Sequence, residues 1–196
     1  MSILRLLDLS SGRIILDSHD LSTIPRNLIR QKITCLTQEP FLFTSTIRLN
    51  ADPLLLTTDA EIISALKRVS LWDTICLKAG SERETALDVV MDVNFLSMGQ
   101  KQLFCLARAL LRKSSVLILD EPTSSVDTKT DAKMQEIIRE DFAKHTIIMV
   151  AHRLGSLLDF DTVVVLDKGV VVEKGNPRLL VEAQESRFRR LYHGAE

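Results

Sequence analysis

Val116-Leu117-Ile118-Leu119-Asp120-Glu121 decides the fold class. Four consecutive apolar residues leave no face for water, as expected of a strand buried on both sides of a parallel sheet. The run lifts two adjacent carboxylates to the carboxyl end of that strand, the edge at which open α/β sheets bind ligands. Adjacent carboxylates there can divide labour. One can hold Mg²⁺ through water, and the next can orient or deprotonate an attacking water. The same two residues could also simply end the strand and cap the next segment.

Outward from this strand, helix and strand signals alternate. On the amino side, Gln100–Leu111 places Leu103, Leu106, Ala107, Leu110 and Leu111 on one helical stripe, with Lys101 and Arg108 outside it. Ser97-Met98-Gly99-Gln100 opens that helix. Serine with glutamine three residues later is a capping box. The same free amides at a positive helix end also form an anion site, and Gly99 would let a phosphate approach the backbone. On the carboxyl side, Ser124-Ser125-Val126-Asp127 reads as a helix start with Asp127 as the cap, ahead of a helix over 131–143. Thr146–Val150 reads as a second fully apolar strand, and His152 follows it as Asp120 follows the first. Residues 162–166 and 170–173 flank Asp167-Lys168-Gly169 as a hairpin. This alternation indicates α/β with a mostly parallel core.

The front half is mixed. Residues 2–8 read as the end of an amphipathic helix, 13–17 as a short strand, 27–31 as a helical turn after Pro25, and Ile33–Thr37 as a strand that delivers Gln38. Residues 60–69 have helical spacing. The signal is weak from Leu71 to Asp92, with a polar loop at 81–85. A helical subdomain over roughly 50–112, inserted ahead of a core over 113–196, accounts for this mixture within a single domain.

Composition excludes several classes. The net charge is −1, with 45% hydrophobic and 26% charged residues. That argues against disorder and against a nucleic-acid surface, which needs a basic excess. Arg187, Arg189 and Arg190 read as a solvated helix face. Cys35, Cys76 and Cys105 are an odd count with no C-x-x-C pair and read as small hydrophobes in a reducing compartment. The longest unbroken apolar runs are five residues, and a spanning helix needs about 20. The 7 glycines contain neither G-x-x-x-x-G-K-[ST] nor G-x-G-x-x-G.

In combination, Leu96-Ser97-Met98-Gly99-Gln100, Val116 to Asp127, and Val150-Ala151-His152-Arg153-Leu154, with Gln38 upstream, resemble the ATP-binding cassette ATPases. Four motifs stand in the family's order, and the likeness covers essentially the whole chain. Gln38 to Phe43 resembles the loop that touches transporter coupling helices. Thr46 to Pro53 resembles exporters of the C subfamily, the multidrug-resistance-associated type, particularly fungal ones. The resemblance implies an ATPase that binds ATP and Mg²⁺ and couples hydrolysis to transmembrane transport. It implies Asp120 and Gln38 at the metal, Glu121 as catalytic base and His152 as the switch histidine. It also implies Ser97, Met98, Gly99 and Gln100 as the signature that meets a partner cassette's nucleotide, and Ser125 and Asp127 as the D-loop. Met98 replaces the commonest glycine at a position that varies. Glu121, where a first cassette often has aspartate, resembles a second cassette. The implied partners are a second nucleotide-binding domain, head to tail, and the transmembrane domains of an exporter. The implied place is the cytoplasmic face of a membrane, or the cytosol for the chain alone.

The departure from the family is the missing glycine loop, which would precede the residues matching Ser2–Asp8. The expectation is a truncated cassette with exposed sheet edge and poor solubility. About four charge-assisted bonds to phosphate are missing, at roughly 1.5–3 kcal/mol each. That is on the order of 6–12 kcal/mol, or four to eight decades in affinity. The isolated chain is therefore expected neither to bind ATP usefully nor to hydrolyse it. A non-catalytic binding or regulatory fragment that docks on a partner cassette or transporter, or a truncated product without function, is the alternative.

Overall fold

The computed structural model describes residues 2–80, 85–92, 94–123 and 126–194. It divides into two compact units, Met1–Met149 and Val150–Glu196. The first opens with a small antiparallel pair, β1 (Ile15–Leu16) and β2 (His19–Asp20). Helix α1 (Arg26–Lys32) leads directly into β3 (Ile33–Leu36), and β4 (Ser45–Thr46) into α2 (Ile47–Ala51). Then come α3 (Asp59–Arg68), α4 (Trp72–Ala79), β5 (Val90–Met91) and α5 (Met98–Leu110). Strand β6 (Val116–Asp120), helix α6 (Thr128–Asp141) and strand β7 (Thr146–Val150) complete the run.

The central sheet has the order β3-β6-β7. Strands β3 and β6 pair in parallel with Ile33 opposite Val116 and Leu36 opposite Leu119. The apolar run of β6 sits in the middle of the three, with Val116, Leu117 and Leu119 buried. Helices α3 and α5 pack together, and α5 also packs on β3 and α6. Leu66, Phe104 and Leu106 from the helices join Leu117, Leu119 and Ile137 in one core. The α/β class expected from the alternation is therefore the observed one.

Three local expectations are corrected. Residues 2–7 form turns and bends rather than a helix end. Arg5 takes a left-handed backbone (φ 50°), and its guanidinium donates to the carbonyls of Leu21 and Ile24 at 3.0 and 2.7 Å. So short a segment cannot repay helix nucleation against those competing bonds. Residues 72–79, where the pattern is weak, form α4, with Trp72 and Ile75 buried. The helix ends on Gly80 at φ 61°, the left-handed position glycine occupies after helices. Strand β7 is not buried on both faces: Thr146, Ile148 and Val150 are exposed and Ile147 and Met149 half-buried. It is the outer strand of the three, with only β6 beside it among the described residues. The loop expected at 81–85 falls mostly on residues 81–84, outside the described residues.

The second unit holds β8 (Val163–Asp167), β9 (Val170–Gly175), α7 (Pro177–Glu182) and α8 (Arg187–Gly194). The two strands form the expected antiparallel hairpin. Lys168 (φ 49°) and Gly169 (φ 80°) make its two-residue turn, both central residues being left-handed as a type I′ turn demands. Glu173 caps α8, accepting from Ser186 Oγ at 3.0 Å and the Phe188 amide at 2.7 Å. Among the described residues of the chain, no helix is long and apolar enough to cross a membrane.

Candidate nucleotide-facing site

The first turn of α5 is built by the capping box. Ser97 Oγ accepts from the Gln100 amide at 3.3 Å, and Gln100 Oε1 accepts from the Ser97 amide at 3.0 Å. The Ser97 hydroxyl, acting as acceptor there, keeps its own O–H for donation. Ser97 and Met98 are exposed, and Gly99 is half-buried. The structural role and the anion-binding role are thus compatible: the cap orients the serine while the helix end still presents a positive field.

A second helix start lies beside the first. Asp127 caps α6, its Oδ1 accepting from the amides of Lys129 and Thr130 at 3.0 Å each. Its Oδ2 accepts from Thr130 Oγ1 at 2.7 Å. The Thr130 hydroxyl and then the Thr130 amide hold this carboxyl below its ordinary value. A Cβ placed on Gly99 would lie 3.4 Å from Thr130 Cγ2 and 3.7 Å from Asp127 Oδ2. Gly99 and Asp127, 28 positions apart by their numbers, therefore meet where α5 and α6 begin. Ser125, the other residue expected here, lies outside the described residues.

The second group stands at the carboxyl ends of β3 and β6. With Leu36 opposite Leu119, Asp120 ends β6 beside the segment that carries Gln38. Asp120 and Gln38 are exposed, and Glu121 is half-buried. Glu121 has a left-handed backbone, φ 47°. For a side chain of this kind that conformation is strained by about 1–3 kcal/mol and recurs at functional positions. His152 belongs to the second unit, exposed on the bend after β7.

Among the described residues, no group of three His, Cys, Asp or Glu side chains could cage a metal ion. Mg²⁺ is commonly held by one or two protein oxygens together with substrate phosphates. Asp120 and Gln38 offer such hard oxygen donors at one sheet edge.

Two sets of polar residues to which the sequence assigned no site role organise the loop after Gln38 and the turn after Asp52. Asn50, with no exposed surface, accepts from the Phe43 amide at 3.0 Å and donates to the carbonyls of Phe43 and Thr46 at 2.8 and 3.1 Å. Asp52 accepts from the amides of Leu56 and Thr57 at 2.6 and 2.7 Å and from Thr57 Oγ1 at 2.8 Å. These are two of the polar residues of the Thr46–Pro53 stretch, whose value is legible in the sequence only as resemblance. The second set lies on α5. Gln102 is buried, its Nε2 donating to the carbonyls of Thr37 at 3.3 Å and Gln38 at 2.6 Å. Arg108, expected on the outer face, instead directs Nε to the Asn50 carbonyl at 2.8 Å and Nη1 to the Phe41 carbonyl at 3.1 Å. Burial pushes its pKa down. A polar residue on a helix reads as solvent-facing unless its carbonyl partners are known.

Residues 1–124 match the family described as ABC transporter. The chain is 50% identical over 192 residues to ABC multidrug transporter B of Aspergillus fumigatus, covering 98% of this chain and 13% of that protein. It is 45% identical over 195 residues to ABC transporter ecdL of Aspergillus rugulosus, covering 100% of this chain and 13% of the relative. It is 40% identical over 188 residues to ABC transporter C family member 5 of Dictyostelium discoideum, with 96% and 13% covered. The chain thus spans about an eighth of the length of these relatives.

Proposed function

The chain belongs to the ABC transporter family, and from that premise we propose that it is a C-subfamily exporter cassette of the second type, whose signature closes over nucleotide held by a partner cassette. The meeting of Gly99 and Asp127 at two adjacent helix starts carries this reading. The positive start of α5 and an exposed serine hydroxyl suit the terminal phosphate of ATP, with a glycine beside them, while the α6 start is already capped by the Asp127 carboxylate.

In the intact transporter, Asp120 and Gln38 would hold Mg²⁺, which neutralises charge on the phosphates when bound. Glu121 accepts the proton of an attacking water, and His152 donates to the phosphate end. Its partners are a second cassette, head to tail, and transmembrane domains that Gln38 to Phe43 would touch. Phe41, 70% exposed, supports that contact. The setting is the cytoplasmic face of a membrane.

These 196 residues contain no glycine-lysine phosphate loop. We therefore propose that the chain by itself neither holds ATP tightly nor turns it over, and that docking on a partner is the activity it retains. The test is sedimentation of the chain with a complete cassette that has its own glycine loop, with and without Mg-ATP. ATP-dependent association that Ser97→Arg abolishes is expected. Association indifferent to ATP or to Ser97→Arg overturns signature-mediated docking. A nucleotide-dependent rise in the melting temperature of the chain alone would show that it holds ATP itself.

A further inference from the structure

Helix α5 carries Gln102, Cys105 and Arg108 three residues apart, so they form one stripe. Gln102 and Arg108 meet the main chain of the segment after β3. Gln102 donates to the Thr37 and Gln38 carbonyls. Cys105 lies between them on the helix, half-buried. Arg108 bridges the carbonyls of Phe41 and Asn50. As the helix advances, its contacts advance along the loop in step. Carbonyls only accept, so the Gln102 group facing them is its NH₂. At 1% exposure that amide has been removed from water; its NH₂ regains partners on the loop, while its buried Oε1 meets no hydrogen-bond donor among the described residues. The Gln38 side chain is exposed, while its own carbonyl is gripped at 2.6 Å.

We infer that Gln102 and Arg108 are positioning residues, which hold the Gln38 segment on the same helix whose first turn carries Ser97, Gly99 and Gln100. The inference rests on the cassette reading for its purpose, since there Gln38 serves the chain's own nucleotide edge and the signature serves the partner's. A clamp of main-chain carbonyls on one continuous helix keeps these two elements in fixed register. Side chains of the loop can vary without loosening it, because none of the gripped atoms belongs to a side chain.

The test is hydrogen exchange of the 196-residue chain, read by mass spectrometry at the amides of 38–43 and of α5. Gln102→Met keeps the volume and removes the donors. It is expected to speed exchange at 38–43 about tenfold, the equivalent of about 1.4 kcal/mol, while α5 itself keeps its protection. A packing role predicts no change in that variant. Arg108→Lys keeps the charge and loses the two-pronged fork, and loosens the same amides. If Gln102→Met fails to fold, Arg108→Lys decides alone on those amides. Unchanged exchange at 38–43 in folded variants overturns the clamp. The measurement needs no nucleotide, so its failure leaves the cassette reading intact. Absent ATP-dependent docking would in turn leave the clamp standing.

Discussion

Replacing Gly99 by alanine separates what the fold needs from what a ligand needs. Gly99 lies in the first turn of α5 without a left-handed backbone, so alanine meets no strain. The nearest atoms to its new methyl are Thr130 Cγ2 at 3.4 Å, Thr130 Oγ1 at 3.5 Å and Asp127 Oδ2 at 3.7 Å, which is ordinary van der Waals contact. Alanine is favoured over glycine in a helix interior by about 1 kcal/mol, partly because it restricts the unfolded chain. In a first turn about half of that is expected. With a urea slope of about 2 kcal/mol/M, the unfolding midpoint should rise by about 0.25 M. Circular dichroism through a urea titration reads this directly. The same methyl adds bulk to the first turn of α5, where the proposed function brings a phosphate oxygen to the amides. It should weaken ATP-dependent association with a partner cassette about tenfold or more, since a lost charge-assisted bond exceeds the about 1.4 kcal/mol that tenfold represents. A midpoint lowered by more than about 0.5 M would refute the packing argument. Undiminished association would refute the claim that Gly99 admits a phosphate.

Three other substitutions test the fold around the site. Glu121→Asn should stabilise the chain by about 0.5–1 kcal/mol, because asparagine tolerates the left-handed backbone at φ 47° better than glutamate does; a urea midpoint at or below wild type counts against strain there. Arg68 joins α3 to α6 through Glu136, Glu140 and Asp141 at 3.0, 2.6 and 2.7 Å, and the Asp141 and Glu136 carboxylates hold its guanidinium charged. Arg68→Leu should lower the urea midpoint at 0.05 M NaCl, with the deficit narrowing at 1 M as salt screens the half-exposed network; a salt-independent deficit would indicate lost packing instead. Burial pushes the Asp52 carboxyl up, but hydrogen bonds from the Thr57 hydroxyl and the Thr57, Leu56 and Leu54 amides outweigh it and hold it below its ordinary value. A depressed folded value means stability that is complete above the unfolded pKa of about 3.9 and lost as pH falls through the lower folded one. Asp52→Asn should therefore cost about 1–3 kcal/mol at pH 7, with the gap to wild type closing below about pH 4; equal gaps at pH 7 and pH 3 would contradict this.

Much of this protein is readable residue by residue. The apolar run Val116–Leu119 reads as a buried strand and forms one, so α/β is legible from it together with the helical patterns on either side. Ser97 with Gln100, and Asp127 ahead of a helical pattern, announce two caps, and both are present because capping is a contact within three residues. The Lys168-Gly169 turn is local for the same reason. Where the pattern fails, partners distant in sequence decide. Arg5 draws residues 2–7 away from helix by reaching carbonyls near residue 21. Strand β7 carries the same apolar run as β6 yet is half-exposed, because sheet order, not composition, determines which strand is central.

Chemistry-bearing residues are written in the sequence as types in an order: Asp120 and Glu121 after one strand, Gln38 after another, Ser97 and Gly99 at a helix start. Their meetings are not written there. That Gly99 faces Asp127, and that Gln102 and Arg108 grip the main chain beside Gln38, depends on α5 packing at once against α6 and β3. The physical reason is range. Propensity, capping and turn geometry act over a few bonds and are legible in any short window. A buried donor's choice of carbonyl is made by whatever backbone the collapsed core brings within hydrogen-bonding distance, and that backbone lies about 65 positions away.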